Sequence, residues 1–492
     1  MLFYKAFPDE VFVYWDLPEN AEETTIFRIF RDGTEIAESR KTHVRIGDVT
    51  AGESFSVSVL WDGGTLSDTV TVPEEKRNID VSRAPYFAVG DGKTMNTAAL
   101  QRALDDCTEK DRVYLPRGTY LTGALFLSSD TELYLAEGAT LQGTAEPDDY
   151  LPKIASRFEG IEMLCHAALL NIGRLTREEG ITTRNVTVRG HGSVASGGAE
   201  LCEAVIAREL ARMEAEGTLP NAEDCECGLR TVAGRVRPRL IHISSAENVT
   251  LSDIGIERGA SWNVHMIYSK NVLTRGCRFL SEGVFNGDGW DPDSSENCTL
   301  YDSDFNTGDD SVAIKSGKNP EGNRIGIPCR NIRVFDCRSE KGHGITVGSE
   351  MSGGVEDVRI WDCDLRNSLY GVEIKGTGKR GGYVRGVSVR RSVMPRLLMH
   401  AVTYNNDGEG APEAPVFSDC TFSELTLTGR AHYLGGRAEH CPAVELSGFD
   451  ADRHAVKNIR FSDIRLLSED GAPLDISLSN CRGVSFENIE CV

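Results

Sequence analysis

Between Val11 and Val72, apolar and polar residues alternate in short runs, VFVYW, TIFRIF, HVRI and FSVSVLW, separated by DG, AGE and DGG turns. A period of two puts one face of each run in a core and the other in water, so this segment reads as a small β-sandwich. The pattern changes after the charged linker EEKRNIDVSRAP. FAVGDGKTMNTAALQRALDDC predicts a turn and an amphipathic helix with Ala98, Leu100, Leu104 and Cys107 on one side. RVYLPRGTYLTGALFLSSDTELYLAEGATLQG predicts short strands punctuated by glycine, and residues 199–217 predict an inserted helix ending at Gly217.

From Asn185 a loose repeat takes over: NVTVRGHGSV, NVTLSDIGI at 248, NVLTRGCRF at 271, NCTLYDSDF at 297, NIRVFDCRS at 331, DVRIWDCDL at 357 and GVSVRRSVM at 386. Successive starts from 248 to 386 lie 23, 26, 34, 26 and 29 residues apart, and FSDCTFSEL, NIRFSDIRL and GVSFENIEC continue the series. A period in this range marks a solenoid. Each unit holds β-branched strands and a polar turn without a helix, so the expected fold is all-β: a parallel β-helix over 77–492 behind a sandwich over 1–76. Cys277, Cys337, Cys363 and Cys420 recur at matching places and read as a buried apolar column. The sandwich resembles a fibronectin type III module in its early Trp15 and its AGESFSVSVL run, with Phe55 where such modules usually carry tyrosine.

Net charge narrows the function. A formal charge of -22 opposes nucleic-acid binding, and no apolar run of membrane-spanning length occurs. The first residues, MLFYKAFPDEVFVYWDLP, lack the apolar stretch of a signal peptide. With fourteen cysteines in so long a chain, the expected setting is the cytosol, with reduced thiols. Cys225 and Cys227 form a C-x-C pair without a second pair at zinc-finger spacing, so no metal and no cofactor is expected.

Candidate chemistry follows from the repeat. Equivalent positions of consecutive coils stack about 4.8 Å apart, so phase along the sequence stands in for proximity. Four glycine-bounded polar clusters fall in one phase: NGDGWDPDSS, TGDDSVAIKSG, KGHGITVGS and YGVEIKGTG. They gather Asp288, Asp309, Asp310, His343 and Lys375 in one column. Paired carboxylates are what glycosidic hydrolysis requires, one acid to protonate the leaving oxygen and one or two carboxylates to activate water. Histidine and lysine beside them would adjust the acid and bind an anionic sugar.

At these residues the chain resembles the polygalacturonase family of glycoside hydrolases, family 28, whose motifs are Asn-Thr-Asp, Gly-Asp-Asp, Gly-His-Gly and Arg-Ile-Lys. Here they read Asn286-Gly287-Asp288, Gly308-Asp309-Asp310, Gly342-His343-Gly344 and Glu373-Ile374-Lys375. The resemblance implies a right-handed parallel β-helix that hydrolyses galacturonan with inversion. It also implies Asp309 as general acid, Asp288 and Asp310 holding the attacking water, and His343 orienting the acid. Asn286, Glu373, Lys375, Lys315 and Arg380 are the implied sugar contacts, and pectic oligosaccharide the implied partner. NGDGWDPDSS, the loop after SGKN and the small sandwich resemble exo-acting members, for which a blocked cleft and short imported substrates are expected.

Glu373 replaces the family arginine, and a glutamate facing that subsite would repel galacturonate. Either Lys375, Lys379, Arg380 or Arg385 takes over, or the neighbouring sugar is neutral, as in rhamnogalacturonan fragments; Glu373→Arg is then expected to improve turnover of oligogalacturonides. Two rivals remain at this level: a calcium-dependent pectate-lyase-like enzyme, and a carbohydrate-binding β-helix without catalysis.

Overall fold

The computed structural model describes residues 1–468, 471 and 474–491. Two units are distinguished, Met1–Arg77 and Asn78–Val492.

In the first unit, antiparallel strands Leu2–Phe7, Glu10–Trp15 and His43–Ile46 form one sheet, and Thr34–Ser39, Phe27–Arg31, Ser54–Trp61 and Gly64–Thr71 form another. Alternate residues Val11, Val13, Trp15, Phe27, Ile29, Val57 and Val59 are all buried in one cluster. The Trp15 and Phe27 rings meet edge to face at 5.3 Å. The period-two runs thus bury one face each, as alternation requires.

The second unit is a parallel β-helix. Among the described residues, eleven short strands stack in one sheet, from Leu125–Leu127 to Ile476–Ser479. Longer strands such as Glu296–Asn306 and Cys329–Lys341 bend round the remaining sides. In the eleven-stranded sheet, Val264, Trp290, Val312, Ile345, Val372, Leu397 and Val444 are registered one above another. All seven are at most 1% exposed, so this inward column is core. Each such side chain contributes roughly 1.5–3 kcal/mol by burial. The residues between them face outward and form the floor of the site.

The recurring asparagines have a physical role. Asn185, Asn248, Asn271, Asn297 and Asn331 all take left-handed backbone, φ between 54° and 59°. That conformation suits asparagine among non-glycine residues. From Asn248 onward each of these side-chain amides donates to the asparagine of the previous coil, Asn248 to Asn185 at 3.2 Å and Asn297 to Asn271 at 3.0 Å among them, and Asn185 donates to Asp130 Oδ1 at 2.8 Å.

Cys277, Cys337, Cys363 and Cys420 are buried, and all fourteen cysteines are free thiols. The amphipathic helix forms at Thr97–Asp105 but buries Leu100, Ala103 and Leu104. Ala98 is exposed, and Cys107 lies past the helix end. The inserted helix is Gly198–Glu216, capped by Gly217 in the left-handed region, φ 66°. No described helix is long and apolar enough to cross a membrane.

Candidate active site

The turns that lead into Trp290–Asp293, Val312–Ile314 and Gly344–Val347 stack in register: Gly289 N–H donates to Asp310 O, and His343 N–H to Asp309 O. This ladder brings Asp288, Asp309, Asp310 and His343 from three coils to one place. Asp309 and Asp310 lie in a bend just before Val312, so two consecutive side chains reach the same histidine. Gly308 is required there by space. A Cβ on it would stand 2.4 Å from Val284 O and 2.7 Å from Ser281 O.

His343 Nδ1 lies 3.0 Å from Asp309 Oδ1 and 3.2 Å from Asp310 Oδ1. Burial disfavours its charge, but the two carboxylates more than compensate and raise it to about 10. Asp310 feels burial in the opposite sense, yet Lys375, with Nζ at 3.9 Å, His343 and Lys315 hold it ionised, below the usual carboxylate range. Asp288 is the reverse case: burial and the nearby Asp309 push it well up, against the pull of Lys315 Nζ at 3.6 Å. Exposure separates the three: the Asp309 side chain is 25% accessible, while Asp310 and Asp288 are 6% and 4%. Only Asp309 of these carboxylates is placed to touch a glycosidic oxygen above the floor.

Asp309 is positioned from its other side. Asn286 Nδ2 points at Asp309 Oδ2 at 3.4 Å, and Asn286 Oδ1 accepts from Arg237 Nη2 at 2.8 Å. Asn286 therefore buttresses the carboxylate. Lys315 is buried between Asp288 and Glu350 Oε2, the latter at 3.3 Å, with its ammonium 4.3 Å from the Trp262 ring centre. Burial opposes its charge, but Glu350, Asp288, Asp291 and Asp310 raise it, so it stays protonated.

Two expectations from the sequence are corrected. Glu373 is 1% exposed and closed between His400 Nε2 at 2.7 Å and Lys375 Nζ at 2.8 Å. Burial would raise it, but Lys375 and His400 lower it, so its charge is compensated within the wall and is not offered to a sugar. Arg380 is fully buried. It donates to Ser349 O at 2.9 Å and to Asn319 Oδ1 and Asn405 O at 2.5 Å, so it ties three loops together and cannot be a sugar contact.

The sequence reading missed other members of the site. Asp291 and Asp293 share the cluster of Asp288 and, at alternate positions of Trp290–Asp293, both face outward. A period-two reading of that short strand would have found them. Asp291 is fully buried, and burial and Asp288 push it well above the carboxylate range. Asp293 pairs with Arg157 Nη1 at 2.5 Å and with His265 Nε2 at 3.4 Å. Arg157 belongs to the antiparallel hairpin of Ile154–Phe158 and Ile161–Cys165, which packs on the outward side of these strands. Ser156 Oγ meets His242 Nε2 at 3.2 Å, and Lys318 N–H donates to Gly160 O, so the hairpin reaches from the coil of His242 to the loop after Val312–Ile314.

Asp309, Asp310 and His343 also bring three ligand atoms within 4.8 Å. With Lys375 and Lys315 already supplying the positive charge, the residues do not fit a divalent cation.

Comparison with known proteins adds to this geometry. Residues 204–397 match the model of glycosyl hydrolases family 28, and residues 84–150 match a model described as rhamnogalacturonase A/epimerase, pectate lyase-like. A protein named exo-poly-alpha-D-galacturonosidase from Dickeya chrysanthemi is 24% identical over 97% of this chain and 88% of its own. One named probable polygalacturonase from Vitis vinifera is 31% identical over 75% of this chain and 72% of its own. Among solved structures, the family 28 exopolygalacturonase of Yersinia enterocolitica superposes over 100% of this chain and 96% of its own with a TM-score of 0.81 at 21% identity. The hyperthermoactive exopolygalacturonase of Thermotoga maritima covers 84% of this chain and 91% of its own with a TM-score of 0.66 at 26% identity. These likenesses extend to the right-handed parallel β-helix.

Proposed function

Because the chain belongs to glycosyl hydrolases family 28, we propose that its cleft hydrolyses α-galacturonosidic bonds of pectic oligosaccharides from a chain end, with inversion. The observation that carries this reading is the division of the carboxylates: accessible Asp309 stands beside His343, while buried Asp288 and Asp310 flank Lys315 and Lys375. Asp309 delivers the proton it shares with His343 to the leaving oxygen. Asp288 and Asp310 hold a water for attack at the anomeric carbon, and the water's proton passes to that pair. Lys375 and Lys315 keep the floor attractive to a uronate despite a chain charge of -22.

Exo action is supported by the hairpin at 154–165, which packs against His242, Asp293 and Lys318 beside the carboxylates, and by the names of the relatives. Neutralised Glu373 removes the motive for a neutral neighbouring sugar, so galacturonan is preferred over rhamnogalacturonan. A reducing compartment is supported by the fourteen free thiols. Digestion of a defined oligogalacturonide ladder tests the function. Release of short products from one end is expected, with the anomer followed by proton NMR. Random internal fragments would sink exo action, retention would sink inversion, and an unsaturated product abolished by a chelator would replace hydrolysis with elimination.

A further inference from the structure

With Glu373 closed inside the wall, some other cation has to meet the sugar carboxylate that the motif arginine would have gripped. Arg380 is buried and spent on three loops. Arg385 is on Tyr383–Met394, a strand of the other sheet, and pairs with Glu356 at 2.5 Å. Lys379 donates to Gly408 O at 3.3 Å, and Lys375 is held by Glu373.

Arg396 stands apart from all of these. It opens the strand Arg396–Ala401, registered on Gly371, which is registered on Gly344 beside His343. It therefore stands two coils beyond Gly344, in the column next to that of His343. Its guanidinium carbon lies 4.9 Å from the Tyr370 ring centre, and the Tyr370 ring meets the His343 ring at 5.4 Å and 61°. Its buried Nε has no hydrogen-bond partner among the described residues, and the side chain is only half-exposed. A guanidinium desolvated in this way without a partner is costly, whereas stacking on an aromatic face holds its fork ready for a planar anion.

We propose that Arg396 binds the carboxylate of the uronic acid unit adjoining the cleaved bond on the side of the C-terminal coils, and so selects free galacturonate over its methyl ester there. The proposal rests on the hydrolytic reading above. Bidentate pairing with a carboxylate is the geometry a guanidinium favours, and the methyl ester removes both the charge and one acceptor.

The test compares kcat/KM for trigalacturonate and for its methyl ester with the full-length wild type, Arg396→Gln and Arg396→Lys. The wild type is expected to prefer the free acid. Arg396→Gln is expected to reduce that preference about ten- to hundredfold, chiefly through KM, and Arg396→Lys to restore part of it. An unchanged preference in Arg396→Gln overturns the assignment while leaving hydrolysis intact. A wild-type ratio near unity overturns it without any variant. Failure of the wild type to cleave either substrate overturns the hydrolytic reading itself.

Discussion

Replacing Glu373 with arginine tests how the wall beside the catalytic column is built. The carboxylate is 1% exposed and contacts Lys375 at 2.8 Å and His400 at 2.7 Å. Arginine would put a second cation beside Lys375, in a slot where two nitrogens, Lys375 Nζ and His400 Nε2, now face the carboxylate. Like charges about 4 Å apart repel by roughly 4 kcal/mol at an effective dielectric of 20. Rupture of a buried pair costs about 3–5 kcal/mol. The longer side chain escapes part of this by leaning toward solvent, so a net loss of about 3 kcal/mol is expected. Because unfolding entropy grows with chain length, this lowers the melting temperature of so large a unit by only about 3 °C. The catalytic effect is larger. Lys375, released from Glu373 and repelled, no longer sits 3.9 Å from Asp310, and turnover of oligogalacturonides falls about ten- to hundredfold. Glu373→Gln, which keeps an acceptor for His400, is expected to lose less of both. Calorimetry and a reducing-sugar assay decide the matter: an arginine variant with wild-type melting and equal or better turnover would refute the reasoning.

Asp309→Asn is expected to lower kcat about 10²- to 10⁴-fold while oligogalacturonide binding, read by titration calorimetry, persists; lost binding with retained kcat would reassign the acid. Arg157→Met removes the cation facing Asp293 at 2.5 Å, should cost about 3–5 kcal/mol, and should loosen the hairpin enough for internal cleavage products to appear in the oligogalacturonide ladder. Stability should fall in acid through two groups. Burial keeps His265 neutral, down at about 4, despite Asp293; the unfolded chain, titrating near 6.5, takes up the extra proton first, so stability drops as pH falls from about 6.5 to 4. Asp293 is held at about 2 because Arg157 and His265 outweigh its burial. Its contribution, about 2 kcal/mol, is complete above its unfolded value near 3.8 and is lost as pH falls toward 2. Melting curves at pH 7, 5 and 3 check both, and a flat profile would contradict them.

The solenoid was legible because its repeat is carried by residues whose reasons are local: β-branched pairs that fill a coil and asparagines that make its corner. The column of Asp288, Asp309, Asp310, His343 and Lys375 was legible for the same reason, since phase along a repeat maps onto stacking. What escaped was decided by loops and by partners on neighbouring coils. Arg157 reaches Asp293 from 136 residues away, and no periodicity announces such a contact. Arg380 looked free because its partners, Asn319 and Asn405, sit on separate insertions. Glu373 looked hostile to substrate because His400, one coil on in register with Lys375, was not counted as its partner.

The asparagine ladder has a consequence for how such a site changes over time. From Asn248 to Asn331 each corner asparagine bonds to the one before it, so these coils restart from the same rung whatever the chain has done between. The interval from Asn297 to Asn331 carries an extra loop with the helix Glu321–Ile325, yet Ile332 still falls on Cys298 and Val334 on Leu300. Length added on the cleft side is absorbed before the next corner and leaves the catalytic carboxylates in step. The hairpin at 154–165, or a later loop, can therefore be exchanged as a separate part while the chemistry beneath stays in place.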